Sequence, residues 1–237
     1  MLGNGALQPV QRNENLTEKV YLSLRLALMR GRVGPGQRLV HRVLAVELGV
    51  SQTPVREALL RLASEGAVAL DARGTFVPML SAEIFSEVMS LRVELEGRAA
   101  ERAAMFATPA AIADLRHIHS RLAAAKVEWA AEAILEENER FHLGIANLAQ
   151  SPVLARLIEG LWMQCGPTIR LFYARQRHSR PEAHPHLALL AALEKHDGKA
   201  ARAAMTDDLE VNFEAMNALL AAAVDSSETV SAAAGRR

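Results

Sequence analysis

Apolar residues recur three or four positions apart along most of the chain, which is the spacing of a helix with one buried face. The first such stretch runs from Leu16 to Met29, and the glycines and proline of residues 31–36 end it. Later stretches are separated in the same way. Further helices are predicted at about residues 41–48, 51–65, 82–106, 109–127, 129–149, 152–177, 186–196 and 199–223.

One stretch departs from this helical pattern. Two short β-like runs, at residues 67–70 and 75–79, flank the turn-forming residues 71–74, which predicts a two-stranded ribbon. The ribbon follows two short helices, and elements in this order describe a winged helix-turn-helix. We expect Thr53 to cap the second of these helices, with Pro54 at its first helical position.

The rest of the chain predicts helices only, so the expected fold class is mainly α. It comprises an N-terminal winged helix-turn-helix and a C-terminal all-α antiparallel helical bundle. The low aromatic content of 4% also favours helix over strand. The predicted organisation is a disordered N-terminus at 1–14, a winged helix-turn-helix at 15–79, a helical effector-binding domain at 80–223 and a disordered tail at 224–237.

Charge is distributed unevenly although the net charge is zero. Residues 1–80 carry ten Lys/Arg and six Asp/Glu, leaving 17 of the 27 basic and 21 of the 27 acidic side chains for the remainder. A modestly basic first domain suits phosphate contact, although random scatter gives similar numbers. The single cysteine, Cys165, fits a reducing cytoplasm. No apolar run approaches the roughly 18 residues that a membrane helix needs.

The N-terminal end of the second short helix is the candidate DNA-reading surface, because that end enters the major groove in this motif. Its apolar positions face inward, which leaves Gln52, Thr53 and Arg56 exposed. Arg commonly pairs with guanine edges and Gln can pair with adenine. Arg73 and Gly74, at the predicted ribbon tip, can reach a minor groove or a phosphate. The alternative is a three-helix packing unit without a ligand.

Polar residues interrupt three inward-facing apolar stripes of the second domain. Asn138 and His142 lie four residues apart on one stripe, His186 opens another, and Asp208 interrupts a third. Helical bundles commonly build metal sites in this way. The alternative is that each side chain is satisfied separately by hydrogen bonds. A metal could also activate water for catalysis, but the sequence has no nucleophile elbow, phosphate loop or HExxH motif, so we do not expect an enzyme.

The winged segment resembles the DNA-binding domain of the GntR family of bacterial regulators. The resemblance rests on Gly36-Gln-Arg-Leu-Val, on Leu44-Ala-Val-Glu-Leu-Gly-Val-Ser-Gln-Thr-Pro-Val-Arg-Glu-Ala-Leu-Leu-Arg-Leu and on the wing Arg73-Gly74-Thr75-Phe76-Val77. Gln stands at position 52, where the family usually has Arg, so the family's guanine preference at that base need not apply. The resemblance implies DNA contacts by Arg42, Ser51, Gln52, Thr53, Arg56, Arg73 and Gly74.

The helical domain is similar to the FCD effector domain of the FadR-like subgroup, and the two resemblances together cover residues 16–222. Asn138-Glu-Arg-Phe-His142 resembles the FCD metal-binding pattern Asp-x-x-Phe-His, and His186 matches the next ligand. Asp208 stands where the last histidine ligand usually lies. The resemblance therefore implies a divalent metal, Zn or Ni, on Asn138, His142, His186 and Asp208. His184 can substitute, whereas we expect solvated side chains at His117, His119, His178 and His196.

Arg92 resembles an inward arginine that grips effector carboxylates in related proteins, and its fork suits a carboxylate. The alternative is a surface Arg92 paired with Glu96 one turn later. The combined expectation is a cytoplasmic homodimer that binds operator DNA, acts as a repressor and responds to a small organic-acid or sugar-acid effector.

Overall fold

The computed structural model describes residues 16–175, 184–211 and 213–220. The predicted segments 1–14 and 224–237 lie outside the described residues, as does His178. Residues 213–220 are helical. The helices and strands are α1 (Leu16–Met29), α2 (His41–Glu47), α3 (Gln52–Ser64), β1 (Ala69–Asp71), β2 (Gly74–Phe76), α4 (Ala82–Phe106), α5 (Pro109–Glu128), α6 (Ala131–Leu148), α7 (Pro152–Arg175), α8 (Pro185–Glu194) and α9 (Gly198–Glu210).

The ribbon is shorter than predicted and pairs with chain from outside it. Strands β1 and β2 pair antiparallel, with Asp71 opposite Gly74. On its other side β2 meets the segment after α1, where Leu39 donates its backbone N–H to Thr75 and Val77 donates to Gln37. This pairing joins residues far apart in sequence, which local alternation cannot reveal. The wing is thereby anchored to the start of the winged domain.

The predicted cap of α3 is wrong. The helix begins at Gln52, with Ser51 as the N-cap residue, and the Ser51 side chain makes no capping hydrogen bond. Pro54 is therefore the third helical residue rather than the first. A proline costs little at this position, because the first backbone N–H groups of a helix have no intrahelical partner that its missing N–H would leave unbonded. Thr53 lies exposed in the first turn.

The second domain is a helical bundle in which α4 packs along α9, α6 and α7, α5 packs on α6, and α8 packs on α9. Helix α6 begins two residues later than predicted, because Trp129 ends α5 in a left-handed conformation, with φ of 57°. Ser81 and Thr108 cap α4 and α5 by accepting backbone N–H groups. Among the described helices, none is long and apolar enough to cross a membrane.

The two domains meet where α1 packs on α7. The contact is close because Gly166 lies against main chain: a Cβ at this position would be 2.5 Å from the Met29 carbonyl oxygen. Gln164 lies two residues before Gly166, and its amide donates to the Glu65 carbonyl at 3.5 Å. Arg25 on α1 forms an ion pair with Glu159 on α7. The absence of a side chain at position 166 therefore sets the distance between the domains.

We predict that Gly166→Ala lowers the free energy of unfolding by about 1–3 kcal/mol, because the added methyl group overpacks a backbone contact. Gly160→Ala is the matched control on the same helix, since a Cβ there would meet nothing within 4 Å. We expect the control to be neutral or stabilising by about 0.5–1 kcal/mol. Urea unfolding followed by circular dichroism measures both, and equal stability of the two variants would contradict the proposed close contact.

Candidate functional site

The exposed end of α3 forms one candidate surface. Gln52, Thr53 and Arg56 line a shallow cavity together with His41. Burial of Val55, Ala58, Leu59 and Leu62 on the opposite side of α3 orients these polar side chains outward. Every residue predicted to contact DNA is solvent-exposed, namely Arg42, Ser51, Gln52, Thr53, Arg56, Arg73 and Gly74.

Arg38 braces the wing, a role that the sequence pattern did not reveal. Its guanidinium donates two hydrogen bonds of 2.6 Å to the carboxylate of Asp71, and a third, of 3.2 Å, to the carbonyl of Gly74. The Arg38 hydrogen bond is the main reason that the pKa of Asp71 lies well below its usual value. Asp71 also accepts the backbone N–H of Arg73. The Arg73 side chain is thus presented from a fixed turn.

A chain of buried ionisable groups crosses the core of the second domain. Arg92 Nε donates to Glu96 Oε1 at 2.7 Å, and Glu96 Oε2 lies 2.6 Å from His142 Nδ1. On the other side of the ring, His142 Nε2 lies 3.0 Å from Asp208 Oδ2. Because these residues belong to α4, α6 and α9, the chain links three helices. Cations and carboxylates alternate along it.

The alternation determines the charge states. Burial alone would lower the pKa of His142, but Glu96 and Asp208 outweigh it and raise that pKa to about 9. Burial would raise the pKa values of Glu96 and Asp208, but Arg92 and His142 beside Glu96, and His186 and His142 beside Asp208, outweigh it and hold both below their usual values. Without a metal, His142 therefore carries a proton at neutral pH between two carboxylates, and a metal bound at its Nε2 would have to displace that proton. The buried role of Glu96 was not predicted, because its position four residues after Arg92 suggests an ion pair on the helix surface.

Three of the four predicted metal ligands converge. Ligand atoms of His142, His186 and Asp208 all lie within 4.8 Å of one another. The Nε2 atoms of His142 and His186 contact Asp208 Oδ2 at 3.0 and 3.4 Å, yet neither contact is aligned for a hydrogen bond, and among the described residues both atoms are buried without a hydrogen-bond partner. Asn138 is buried one turn before His142 on α6. Two orphaned nitrogens beside a carboxylate fit a divalent cation, which needs no N–H alignment.

Two more histidines border this group. His184 Nδ1 lies 3.5 Å from Asp208 Oδ1 and also accepts the backbone N–H of His186. The prediction that His119 is solvated is wrong: it is only 7% exposed and its Nδ1 lies 3.4 Å from His186 Nδ1. Its place on the buried stripe Ile112, Leu115, His119 and Leu122 of α5 was a signal available in the sequence. His117 is exposed, as predicted, whereas His196 is exposed but its Nδ1 lies 2.8 Å from the Ala104 carbonyl oxygen.

The structure pairs Arg92 with Glu96, but not on the surface. Arg92 is 1% exposed, and its guanidinium carbon lies 4.0 Å from the centre of the Trp162 ring. Its Nη1 contacts Cys165 Sγ at 3.7 Å. Its Nη2 is buried without a hydrogen-bond partner among the described residues. One donor of the fork therefore stays available inside the domain.

Helix α6 also contacts the winged domain, through an acidic face distinct from the one that carries His142. Arg30 forms ion pairs with Glu136 and Glu139 at 2.8 and 3.3 Å. Arg32 forms ion pairs with Glu132 and Glu136, each at 3.2 Å. These arginines directly follow α1, so one helix touches both the buried ionic chain and the winged domain.

Comparison with known proteins identifies two family models in the chain. Residues 16–77 match the model described as bacterial regulatory proteins, gntR family, and residues 87–211 match the FCD domain. The chain is 34% identical over 217 residues to the HTH-type transcriptional regulator McbR of Escherichia coli K12, covering 90% of this chain and 96% of that protein. It is 28% identical over 200 residues to the HTH-type transcriptional repressor RspR of the same organism, covering 82% and 86%.

Two solved structures also resemble the chain. E. coli McbR/YncC superimposes with a TM-score of 0.77 at 32% identity, covering 85% of this chain and 96% of that one. A putative GntR regulator from Rhodococcus sp. RHA1 superimposes with a TM-score of 0.67 at 23% identity, a likeness of fold alone. The predicted fold class, a winged helix-turn-helix followed by a helical bundle, is confirmed.

Proposed function

The chain belongs to the GntR family of bacterial regulatory proteins and carries an FCD domain, and on this premise we propose how it reads DNA and what it senses. It is a transcriptional regulator, and its relatives are named as regulators rather than enzymes. We assign it the role of a repressor that works in the cytoplasm, where its DNA lies. The observation that carries the proposal is the exposed set Gln52, Thr53 and Arg56 at the N-terminal end of α3.

We further propose that it binds a near-palindromic operator as a homodimer. A single winged helix reads too few base pairs for specificity within a genome, and a two-fold dimer doubles the number read. On each half-site, Arg56 and Gln52 contact base edges, while Ser51, Thr53 and Arg42 hold phosphates. Arg73 and Gly74 reach the backbone or minor groove from the wing. Sedimentation that shows only monomer, with and without operator, would refute the dimer.

Arg56→Ala is predicted to weaken binding to the operator by about 1–3 kcal/mol, because alanine cannot make the proposed contacts of Arg56 with a base edge. The operator is the sequence that the wild-type protein selects from a random duplex library. Arg61→Gln is the matched control on the same helix, since Arg61 is paired with Glu18 at 2.6 Å. Fluorescence anisotropy at fixed salt compares the variants, and an unchanged affinity of a folded Arg56→Ala protein would refute the assignment.

The deep histidine–aspartate group suits a divalent metal, Zn²⁺ or Ni²⁺. His142, His186 and Asp208 would hold the ion, with Asn138 as a neutral fourth oxygen ligand. The orphaned Nε2 atoms support this assignment, because a buried nitrogen without a partner is costly and a metal satisfies it. When bound, the ion would supply open coordination positions for an anionic ligand.

We expect added Zn²⁺ or Ni²⁺ to raise the melting temperature of the chelator-treated wild-type protein. A ligand at 100 times its Kd adds about 2.7 kcal/mol to the free energy of unfolding. The double variant His142→Ala/His186→Ala should lose this response while the winged domain stays folded. Elemental analysis of untreated protein together with thermal melts measures it. A wild-type protein that carries no metal and does not respond to either ion would refute a metal site.

We propose a small organic acid or sugar acid as the effector, bound between Arg92 and the metal position. The free Nη2 of Arg92 supports this placement, since a buried donor without a partner favours a ligand that supplies an acceptor. Ligand contacts that shift α6 would be transmitted to Arg30 and Arg32 through Glu132, Glu136 and Glu139. The coupling is a difference in ligand affinity between two forms of the dimer, typically about 1–3 kcal/mol.

Arg92→Lys is predicted to weaken effector binding by about 10–100-fold, because lysine keeps the charge but cannot hold Glu96 and at the same time offer the second donor that Nη2 of Arg92 supplies. Calorimetric screening of organic and sugar acids against wild type identifies the ligand first. Arg98→Lys is the control, since Arg98 is exposed on the same helix. If acids bind the Arg92 variant as tightly as wild type, or if no bound acid changes operator affinity, the proposed mechanism is wrong.

A further inference from the structure

A second group of metal-ligating side chains lies beside the deep one. It consists of His119 on α5, His184 at the N-cap of α8, and His186 in the first turn of α8. One ring nitrogen from each lies within 4.8 Å of the other two. The rings are in contact, with centroids 5.4 Å apart for His119 with either partner and 4.2 Å apart for His184 with His186.

We infer that His119, His184 and His186 form a second divalent-metal position, distinct from the group containing His142 and Asp208. The main geometric support is the 3.4 Å between His119 Nδ1 and His186 Nδ1. Two histidine nitrogens on one tetrahedral Zn²⁺, each about 2.0–2.1 Å from the ion, are about 3.3 Å apart. The two rings therefore already stand at the separation that a shared metal requires.

The chemistry of these rings supports the same position. Imidazole nitrogens are common Zn²⁺ ligands, and His119 and His186 are buried. A metal on His184 Nδ1 would replace the hydrogen bond that this atom accepts from the His186 N–H. His186 Nε2 lies 3.4 Å from Asp208 Oδ2. This contact is not aligned for a hydrogen bond, and with the metal on Nδ1 a rotation of the ring that aligned Nε2–H would give His186 the carboxylate partner that metal-bound histidines commonly have.

The two positions share His186 through opposite ring nitrogens, which makes them alternatives. A neutral imidazole has one lone pair available for a metal. His186 can therefore serve the deep group (His142, His186 and Asp208) through Nε2, or the outer group (His119, His184 and His186) through Nδ1, but not both. The outer position is the more accessible, because the His184 side chain is 11% exposed whereas His142 is fully buried. Lys126 is within electrostatic reach of His119, His184 and Asp208. Its positive charge favours an anion as the fourth ligand of the metal.

Calorimetric titration of the full-length, chelator-treated protein with Zn²⁺ tests the inference. For this inference to hold, Zn²⁺ has to bind the outer position in preference to the deep one. We therefore expect His119→Gln and His184→Gln each to raise the Kd for Zn²⁺ at least about tenfold, the lower end of what perturbing a metal site costs. His117→Gln is the matched control, because His117 is exposed two residues before His119 on the same helix. It should bind Zn²⁺ as wild type does. His142→Gln should retain Zn²⁺ binding through the outer group.

The reverse result would overturn the inference: unchanged affinity in His119→Gln and His184→Gln, with loss in His142→Gln. That outcome would agree with the deep metal site of the proposed function. Absence of Zn²⁺ binding by wild type would instead contradict both the deep and the outer Zn²⁺ positions. Nuclear magnetic resonance of ¹⁵N-histidine-labelled wild type gives a test that does not depend on whether a variant folds. Zn²⁺ should shift His119 Nδ1 to a metal-bound position, and a His119 resonance unmoved at saturating Zn²⁺ would also overturn the inference.

Discussion

The fixed alternation of charge from Arg92 through Glu96 and His142 to Asp208 is the constraint on which the second domain depends. An isolated charge removed from water costs several kcal/mol, and a buried pair offsets that cost only when the geometry is close. Each of these groups therefore has to touch the next, which holds α4, α6 and α9 in one arrangement. The same requirement places His142 and Asp208 beside His186, and so builds the candidate metal site.

Helix α6 connects this constraint with the winged domain. One of its faces carries Asn138 and His142, and another carries the glutamates that pair with Arg30 and Arg32. A ligand that changes the ionic chain therefore acts on a helix that the winged domain also contacts. The close approach at Gly166 leaves little room for the domains to move without a rearrangement of α1 on α7. These features suit a two-state response better than a gradual deformation.

The sequence predicted most of the helices because helical spacing is a local signal. It also predicted that His142, His186 and Asp208 face inward, since each interrupts an apolar stripe. It did not predict the contact between Glu96 and His142, which lie 46 residues apart, or the pairing of β2 with the segment before α2. Such contacts depend on how distant elements pack. The inward place of His119 was readable from its stripe, but histidine is common on surfaces as well.

The stability of Glu96→Gln, with EDTA present, tests most directly whether the Glu96 charge organises the second domain. Removing that charge leaves Arg92 and His142 facing a neutral amide, and breaking one partner of a buried pair typically costs about 3–5 kcal/mol. Glu94→Gln is the control, because Glu94 is exposed on the same helix and pairs with Arg202 at the surface, where a pair contributes at most about 1 kcal/mol. In urea unfolding, Glu96→Gln should lower the free energy of unfolding much more than Glu94→Gln does. Equal free energies of unfolding for the two variants would contradict a structural role for the buried chain.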